Sequence, residues 1–240
     1  MNAIILNFKY IKIYAYNIFL SILSLTALAA LISNLLTHTA HPVMGETNRP
    51  KSIYIIDAGH GGFDGGAISY NGTVESHLNL EISKKLNIFM RYIGQTTKMI
   101  RIDDNALNDT GSTIREKKLS DLKNRVKIVN SIEDAILISI HQNMFADSRY
   151  SGAQVFFGRE EGSLELAEGI QANLKKYLNP SNNRQIKPAS DSIYLVKSAN
   201  CPTILVECGF LSNFNEEQTL KEPEYQKKLA MIIGISMLNK

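Results

Sequence analysis

Residues Tyr54 to Ala67 read YIIDAGHGGFDGGA. An apolar, β-branched run stops at Asp57, and a histidine and five glycines fall within the next nine positions. A run of this kind reads as a buried strand, and the glycines let the chain turn back tightly at its end. His60 is then either a plain turn residue or a ligand on an open corner, and the choice depends on what else reaches that edge.

The rest of the chain supplies strands and helices in alternation. Leu78, Ile82, Leu86 and Phe89 recur at helical spacing between Glu75 and Tyr92, with Gly94 as the stop. TKMIRI (97–102) is the next strand, and the polar stretch Asp103 to Lys117 is a long loop of the functional or mobile kind. A helix follows from Leu119 to Asn130, then the strands AILISIH (135–141) and AQVFFG (153–158), and a helix from Ser163 to Leu178. Asn179 to Ser192 is a loop, SIYLV (192–196) and TILVE (203–207) are strands, and Pro223 introduces a last helix, Glu224 to Leu238. Such alternation predicts an α/β fold, a three-layer sandwich whose central, largely parallel (mixed) sheet is flanked by helices.

A hydrophobic helix is expected ahead of this domain. No residue from Ile13 to Thr37 is charged, and Lys9 and Lys12 precede the stretch. A helix of that length crosses a hydrocarbon layer of ~30 Å, and the lysines place its near end in the cytoplasm. Residues 1–37 are thus read as a membrane anchor or signal segment, 38–51 as a linker and 52–240 as the catalytic domain, working outside the cytoplasm. Ala27, Leu28 and Ala29 form a small-x-small site, so cleavage and retention both remain open.

Composition is ordinary for a globular domain, with 44% hydrophobic and 20% charged residues. The formal charge of +3 includes the two early lysines, and the near-neutral remainder has no footprint for nucleic acid. Cys201 and Cys208 flank a strand that holds them too far apart for a bridge, so they are read as free thiols.

His60 follows the first strand, His141 closes AILISIH and Glu207 closes TILVE. The carboxyl ends of parallel strands share one crevice, so residues distant in sequence meet there. Glu75 joins that edge, because the glycine-rich turn must return the chain to start a helix. Two imidazoles and one carboxylate (His60, Glu75, His141) make the open three-ligand set of a catalytic zinc. Glu207 is then placed to take a proton from a water attacking a carbonyl. Singly, His60 also reads as a turn histidine, Glu75 as a charge on the helix dipole and His141 as a satisfied core histidine. His77, Asp57 and Asp64 are rival ligands, though a two-residue step turns His77 away from Glu75 on a helix. Asp57 is expected to orient His60 by accepting its second ring proton.

IYIIDAGHGGFDGGA, ESHLNLEISKKL, ILISIHQN and ILVECGFLSN together resemble the four motif blocks of the zinc-dependent N-acetylmuramoyl-L-alanine amidases of the type 3 family. The resemblance runs in order from Ser52 to the C-terminus. It implies metal ligands at His60, Glu75 and His141, a catalytic Glu207, and cleavage of the amide between N-acetylmuramic acid and L-alanine in peptidoglycan. Within the family, the compact form with one N-terminal segment is most similar to the spore-cortex, germination-specific amidases, which prepare muramic δ-lactam. A general autolysin and a non-catalytic peptidoglycan-binding module are the alternatives. Ala58 stands where the family has proline, and Gln142 and Cys208 stand where smaller or aliphatic residues are frequent. Arg115 and Arg125 are candidate contacts for stem-peptide carboxylates, with Arg125 better read as a surface or packing residue, and Asn143 is a candidate to hold the strand-end loop or the substrate. A protein partner that positions or activates the enzyme is also expected.

Overall fold

The computed structural model describes residues 14–30 and 52–238 of the 240-residue chain. The chain divides into two compact units, the second running from Pro50 to Lys240. In the first, residues 14–30 form helix α1. Among the described residues no helix is long and apolar enough to cross a membrane. The remainder of the expected 13–37 span, and the linker, lie outside the described residues.

The second unit is built on a six-stranded sheet. Its strands are β1 (Ile53–Ala58), β2 (Thr96–Met99), β3 (Ala135–Asn143), β4 (Gln154–Phe157), β5 (Lys187–Pro188) and β6 (Thr203–Phe210), in the spatial order β2-β1-β3-β6-β4-β5. The first four in that order are parallel, while β4 runs antiparallel to β6 and parallel to β5. Strands β1, β3 and β6 are buried almost throughout, which is why they read as continuous apolar runs.

Side chains alternate between the two faces. Ile56, Ile138, Ile140, Ile204 and Val206 pack under helices α2 (Glu75–Tyr92), α4 (Ser163–Asn173) and α7 (Pro223–Ser236). Ile55 and Leu137 face the smaller layer, made by α3 (Ile114–Asn130) and α5 (Tyr194–Ser198). On that second face the strands carry Asp57, Ser139, His141 and Glu207 toward one edge, so the alternation that builds the core also aims the polar residues.

Several boundaries differ from the sequence reading. SIYLV is not a strand: its second half begins the short helix α5, which lays Leu195 and Ala199 on the sheet. A short apolar run does not distinguish a strand from a buried helical turn, and here β6 is followed in the sheet by β4 and β5 without it. Helix α3 starts at Ile114, because Thr113 and Glu116 form a reciprocal capping box that claims part of the expected loop. The helix expected to Leu178 leaves α-geometry after Asn173 for one π-helical turn, and α6 (Phe214–Lys221) had no counterpart in the reading. Cys201 and Cys208 are both buried free thiols, the latter inside β6.

Candidate active site

The turn after β1 holds His60 with a left-handed backbone, φ 63°, followed by Gly61 and Gly62, both also at positive φ. A non-glycine residue adopts this conformation only where its surroundings impose it. Here the imposing groups are buried arginines. Arg125 donates to the carbonyls of Ala58 (3.0 Å) and His60 (2.7 Å), and Arg101 donates to those of Ala58 (2.7 Å), Gly59 (3.1 Å) and Ser76 (2.8 Å). The loop that carries His60 and the helix start that carries Glu75 are thereby tied together.

Glu75 is 3% exposed, and its carboxylate is the hub of the site. Oε2 accepts the Ala67 amide at 2.8 Å, while Oε1 accepts the Gln142 amide at 3.1 Å and the Asn79 side chain at 3.2 Å. The same Oε1 lies 3.0 Å from His141 Nδ1 and 3.4 Å from His60 Nε2. Donor atoms of His60, Glu75 and His141 all fall within 4.8 Å of one another, a spacing that a single metal ion spans. Burial works against the Glu75 charge, but the bonds to His141 and His60 hold its carboxyl far below the ordinary range. For His60, burial opposes charging and is outweighed by Asp64 and Glu75, which raise its pKa to about 9.

Asp64, not Asp57, is the carboxylate on His60: its Oδ2 is 2.9 Å from Nδ1. Asp57 points instead to Arg125 (2.5 Å) and to the Ser139 hydroxyl (2.7 Å). The left-handed turn swings the His60 ring away from β1, and so away from the strand-end aspartate. Arg125 is 2% exposed and engaged with Asp57 and Asp121, so it is neither a surface residue nor free to hold substrate. Arg115 lies on the exposed first turn of α3 rather than on a loop. His77 is exposed and pairs with Asp104 (3.2 Å). Asn143 ends β3, where its carbonyl accepts the Leu211 amide at 2.8 Å and fastens the strand-end loop.

Glu207 is the cross-strand partner of His141, so both side chains share one face. Burial pushes its carboxyl up to about 7; His141 and His60 oppose that rise, and the nearby Glu75 charge adds to it. Its Oε2 is buried without a hydrogen-bond partner. An orphaned carboxylate oxygen beside two imidazoles and a carboxylate contributes nothing to stability through hydrogen bonding and calls for another explanation. A cavity of about 260 Å³ opens beside the two histidines between α3 and α5, with His60, His141, Lys118 and Tyr194 among its walls.

Gly59 shows how tightly the site is built. A Cβ placed there would lie 2.2 Å from the His141 ring. Gly59→Ala is therefore expected to displace that imidazole and lower metal affinity at least about tenfold, the scale seen when the groups orienting metal ligands are lost. Competition with a chromogenic chelator measures it, with circular dichroism reporting an intact fold.

Residues 55–238 match the model of the N-acetylmuramoyl-L-alanine amidase family. The chain belongs to that family. It is similar to the germination-specific N-acetylmuramoyl-L-alanine amidase of Bacillus subtilis, 35% identical over 185 residues that cover 76% of each protein. The N-acetylmuramoyl-L-alanine amidase LytC of the same organism is 32% identical over 80% of this chain but only 35% of its own length. Among solved structures, the CwlD amidase of Clostridioides difficile, in complex with the GerS lipoprotein, is 40% identical with a TM-score of 0.75, covering 78% of this chain and 96% of that one. The amidase is thus an enzyme of peptidoglycan, and its sheet and flanking helices are those of the family.

The strand-end residues were visible in the sequence, whereas the groups that hold them were not. Asn79 was passed over although it lies one helical turn after Glu75, a spacing that places two polar side chains on one face. Arg101 gave only the weak signal of a charge at the end of an apolar strand.

Proposed function

We propose that this amidase uses zinc held by His60, Glu75 and His141, and Glu207 as its proton carrier, to cut the bond between the lactyl group of N-acetylmuramic acid and L-alanine. The observation that carries the reading is the three-donor cluster beside the unpartnered Glu207 oxygen. Two imidazoles and one carboxylate suit zinc and leave a coordination position open. When bound, the ion supplies a Lewis acid for the scissile carbonyl and for the attacking water. Asp64 fixes the His60 ring, and Gln142 and Asn79 fix the Glu75 carboxylate. Glu207 takes the proton of the water and delivers it to the departing alanine nitrogen.

The spore cortex is the proposed substrate, as the first step toward muramic δ-lactam. Support comes from the germination-specific relative, which matches this chain over comparable shares of both proteins, whereas the LytC match is confined to a third of that protein. The N-terminal segment is proposed to deliver the catalytic domain outside the cytoplasm, anchored or secreted. A lipoprotein partner is proposed by analogy with the CwlD complex.

Digestion of cortex and vegetative peptidoglycan by the full chain, with and without zinc, tests the reading by mass analysis. Stem-free muramic acid with released L-alanyl peptides is expected. Chelation is expected to abolish the release and added zinc to restore it. Cuts within the peptide would mark a peptidase, and unchanged peptidoglycan under every metal condition would mark a binding module.

A further inference from the structure

A second cavity, of about 540 Å³, lies at the start of β4, the strand next to β6. Arg149, Arg184 and Lys187 line it among neutral polar residues, and no acidic side chain does. We propose that this groove binds the carboxylates of the departing stem peptide and so sets the enzyme's preference for anionic peptides. The inference rests on the amidase reading above and assigns where the peptide half of the substrate lies.

Placement is the first argument. Gln154 lines the groove and is the cross-strand partner of Glu207, so catalytic carboxylate and groove are separated by one strand spacing, about 4.8 Å. Two residues of extended peptide reach about 7 Å. A peptide leaving from the nitrogen that Glu207 protonates therefore brings the carboxylates of its second residue into the groove.

Preorganisation is the second argument. The Arg184 guanidinium stacks over Tyr150 and Phe210, at 5.1 and 4.6 Å from the ring centroids, and its Nε donates to the Ser151 carbonyl at 3.1 Å. Asn182 is 4% exposed and clamps the loop by donating to the Ala153 carbonyl (2.8 Å) and accepting the Arg184 amide (3.0 Å). Gln154 fixes the next residues through the Gln185 carbonyl, at 2.7 Å. A planar cation held in this way loses little freedom when it meets a carboxylate.

Electrostatic sorting is the third. Lys118 and Arg125, the basic side chains of the cavity between α3 and α5, are already engaged there by Asp64, Asp57 and Asp121. In the groove, Arg149 is paired with Asp147 at an exposed position. Glu216, the carboxylate acting on Arg184, has its oxygens on the Gly152 and Phe210 amides, both at 2.8 Å. Arg184 and Lys187 remain as the cations turned to a ligand.

The test compares N-acetylmuramoyl-L-alanyl-D-glutamate with its counterpart amidated at both glutamate carboxylates, using the zinc-loaded full chain. The acid is expected to show a KM about tenfold below that of the amide at similar kcat, as suits a charge-assisted contact. Arg184→Gln and Lys187→Gln are each expected to shrink this discrimination to about threefold or less, and added salt to shrink it further. Equal KM values in the native enzyme, or full discrimination in Lys187→Gln, whose exposed side chain carries no packing, overturn the proposal. Calorimetric binding of L-alanyl-D-glutamate separates the two readings. If neither substrate is cut, the amidase reading fails, while weakened dipeptide binding in both variants upholds the groove and unchanged binding removes it.

Discussion

Glu207→Gln is expected to leave a folded protein that binds zinc as the native chain does and hydrolyses its substrate about a thousandfold more slowly or worse. The scale is that of a lost general base and acid, 10²- to 10⁴-fold. Geometry makes the substitution clean. Oε2 of Glu207 has no hydrogen-bond partner among the described residues, so an amide in its place breaks no hydrogen bond seen there. The three proposed metal donors are other residues, so metal content measured by atomic absorption should not change. A variant that retains activity would remove Glu207 from proton transfer.

The same substitution should stabilise the metal-free protein above neutrality. Burial raises the Glu207 pKa from the ordinary 4.5 to about 7, so the folded state binds more protons than the unfolded state between those values. Stability then falls as pH rises from 4.5 through 7, since the charged form is disfavoured in the fold. A neutral glutamine escapes this cost. The gain over the native chain should be absent below pH 4.5 and reach on the order of 1–3 kcal/mol above pH 7, one pKa unit being about 1.4 kcal/mol. Urea unfolding at the two pH values measures it. An active-site group that weakens the fold while serving the reaction is the familiar trade between stability and function.

Sequence alone revealed those parts of the molecule whose residues answer to their own neighbours. Strands β1, β3 and β6 were legible because burial on both faces makes them mostly apolar, with their charged residues and histidine toward the carboxyl ends. Their ends were legible for the same reason, since His141 and Glu207 are points where an apolar run breaks and His60 follows the break at Asp57 by one turn. Helix α6 was hidden, because it buries only Glu217 and Leu220 and so has no apolar face to read. The start of α3 was overlooked although Thr113 and Glu116 stand at capping-box spacing, a signal carried by two residues rather than by periodicity. The exchange of Asp57 for Asp64 beside His60 follows from one left-handed residue, and a backbone angle at a non-glycine position leaves no mark in composition. The reading of Arg125 as a surface or packing residue left its place open, because its decisive partner, Asp57, is 68 residues away.

Arg125→Met is the substitution with the largest expected effect on stability. The guanidinium is buried and donates to Asp57, to Asp121 at 2.7 Å, and to the carbonyls of Ala58 and His60. Methionine fills much of the volume but supplies no donor, and it leaves two carboxylates, at 1% and 8% exposure, without their cation. Breaking a buried ion pair from one side costs about 3–5 kcal/mol. For a unit of this size that is a fall in melting temperature of about 10 °C, at 2–4 °C per kcal/mol. Its pH dependence identifies the cause. Burial opposes the Asp57 charge, yet Arg125 and Ser139 outweigh it and lower its pKa in the fold. The stabilisation is therefore complete above the ordinary value of 3.8 and is lost as pH falls through the lowered one. The deficit of Arg125→Met should accordingly be greatest at neutral pH and shrink toward acid, where Asp57 is protonated in both proteins. Adding Asp57→Asn to Arg125→Met should recover part of the loss, because the uncompensated charge goes with it, whereas unrelated sites would simply add. Zinc affinity should fall in the single variant too, since the His60 carbonyl loses the donor that helps hold its left-handed turn. If stability fell equally at all pH values and the double variant recovered nothing, the cost would lie in packing alone, and Arg125 would not be the electrostatic anchor of the His60 loop.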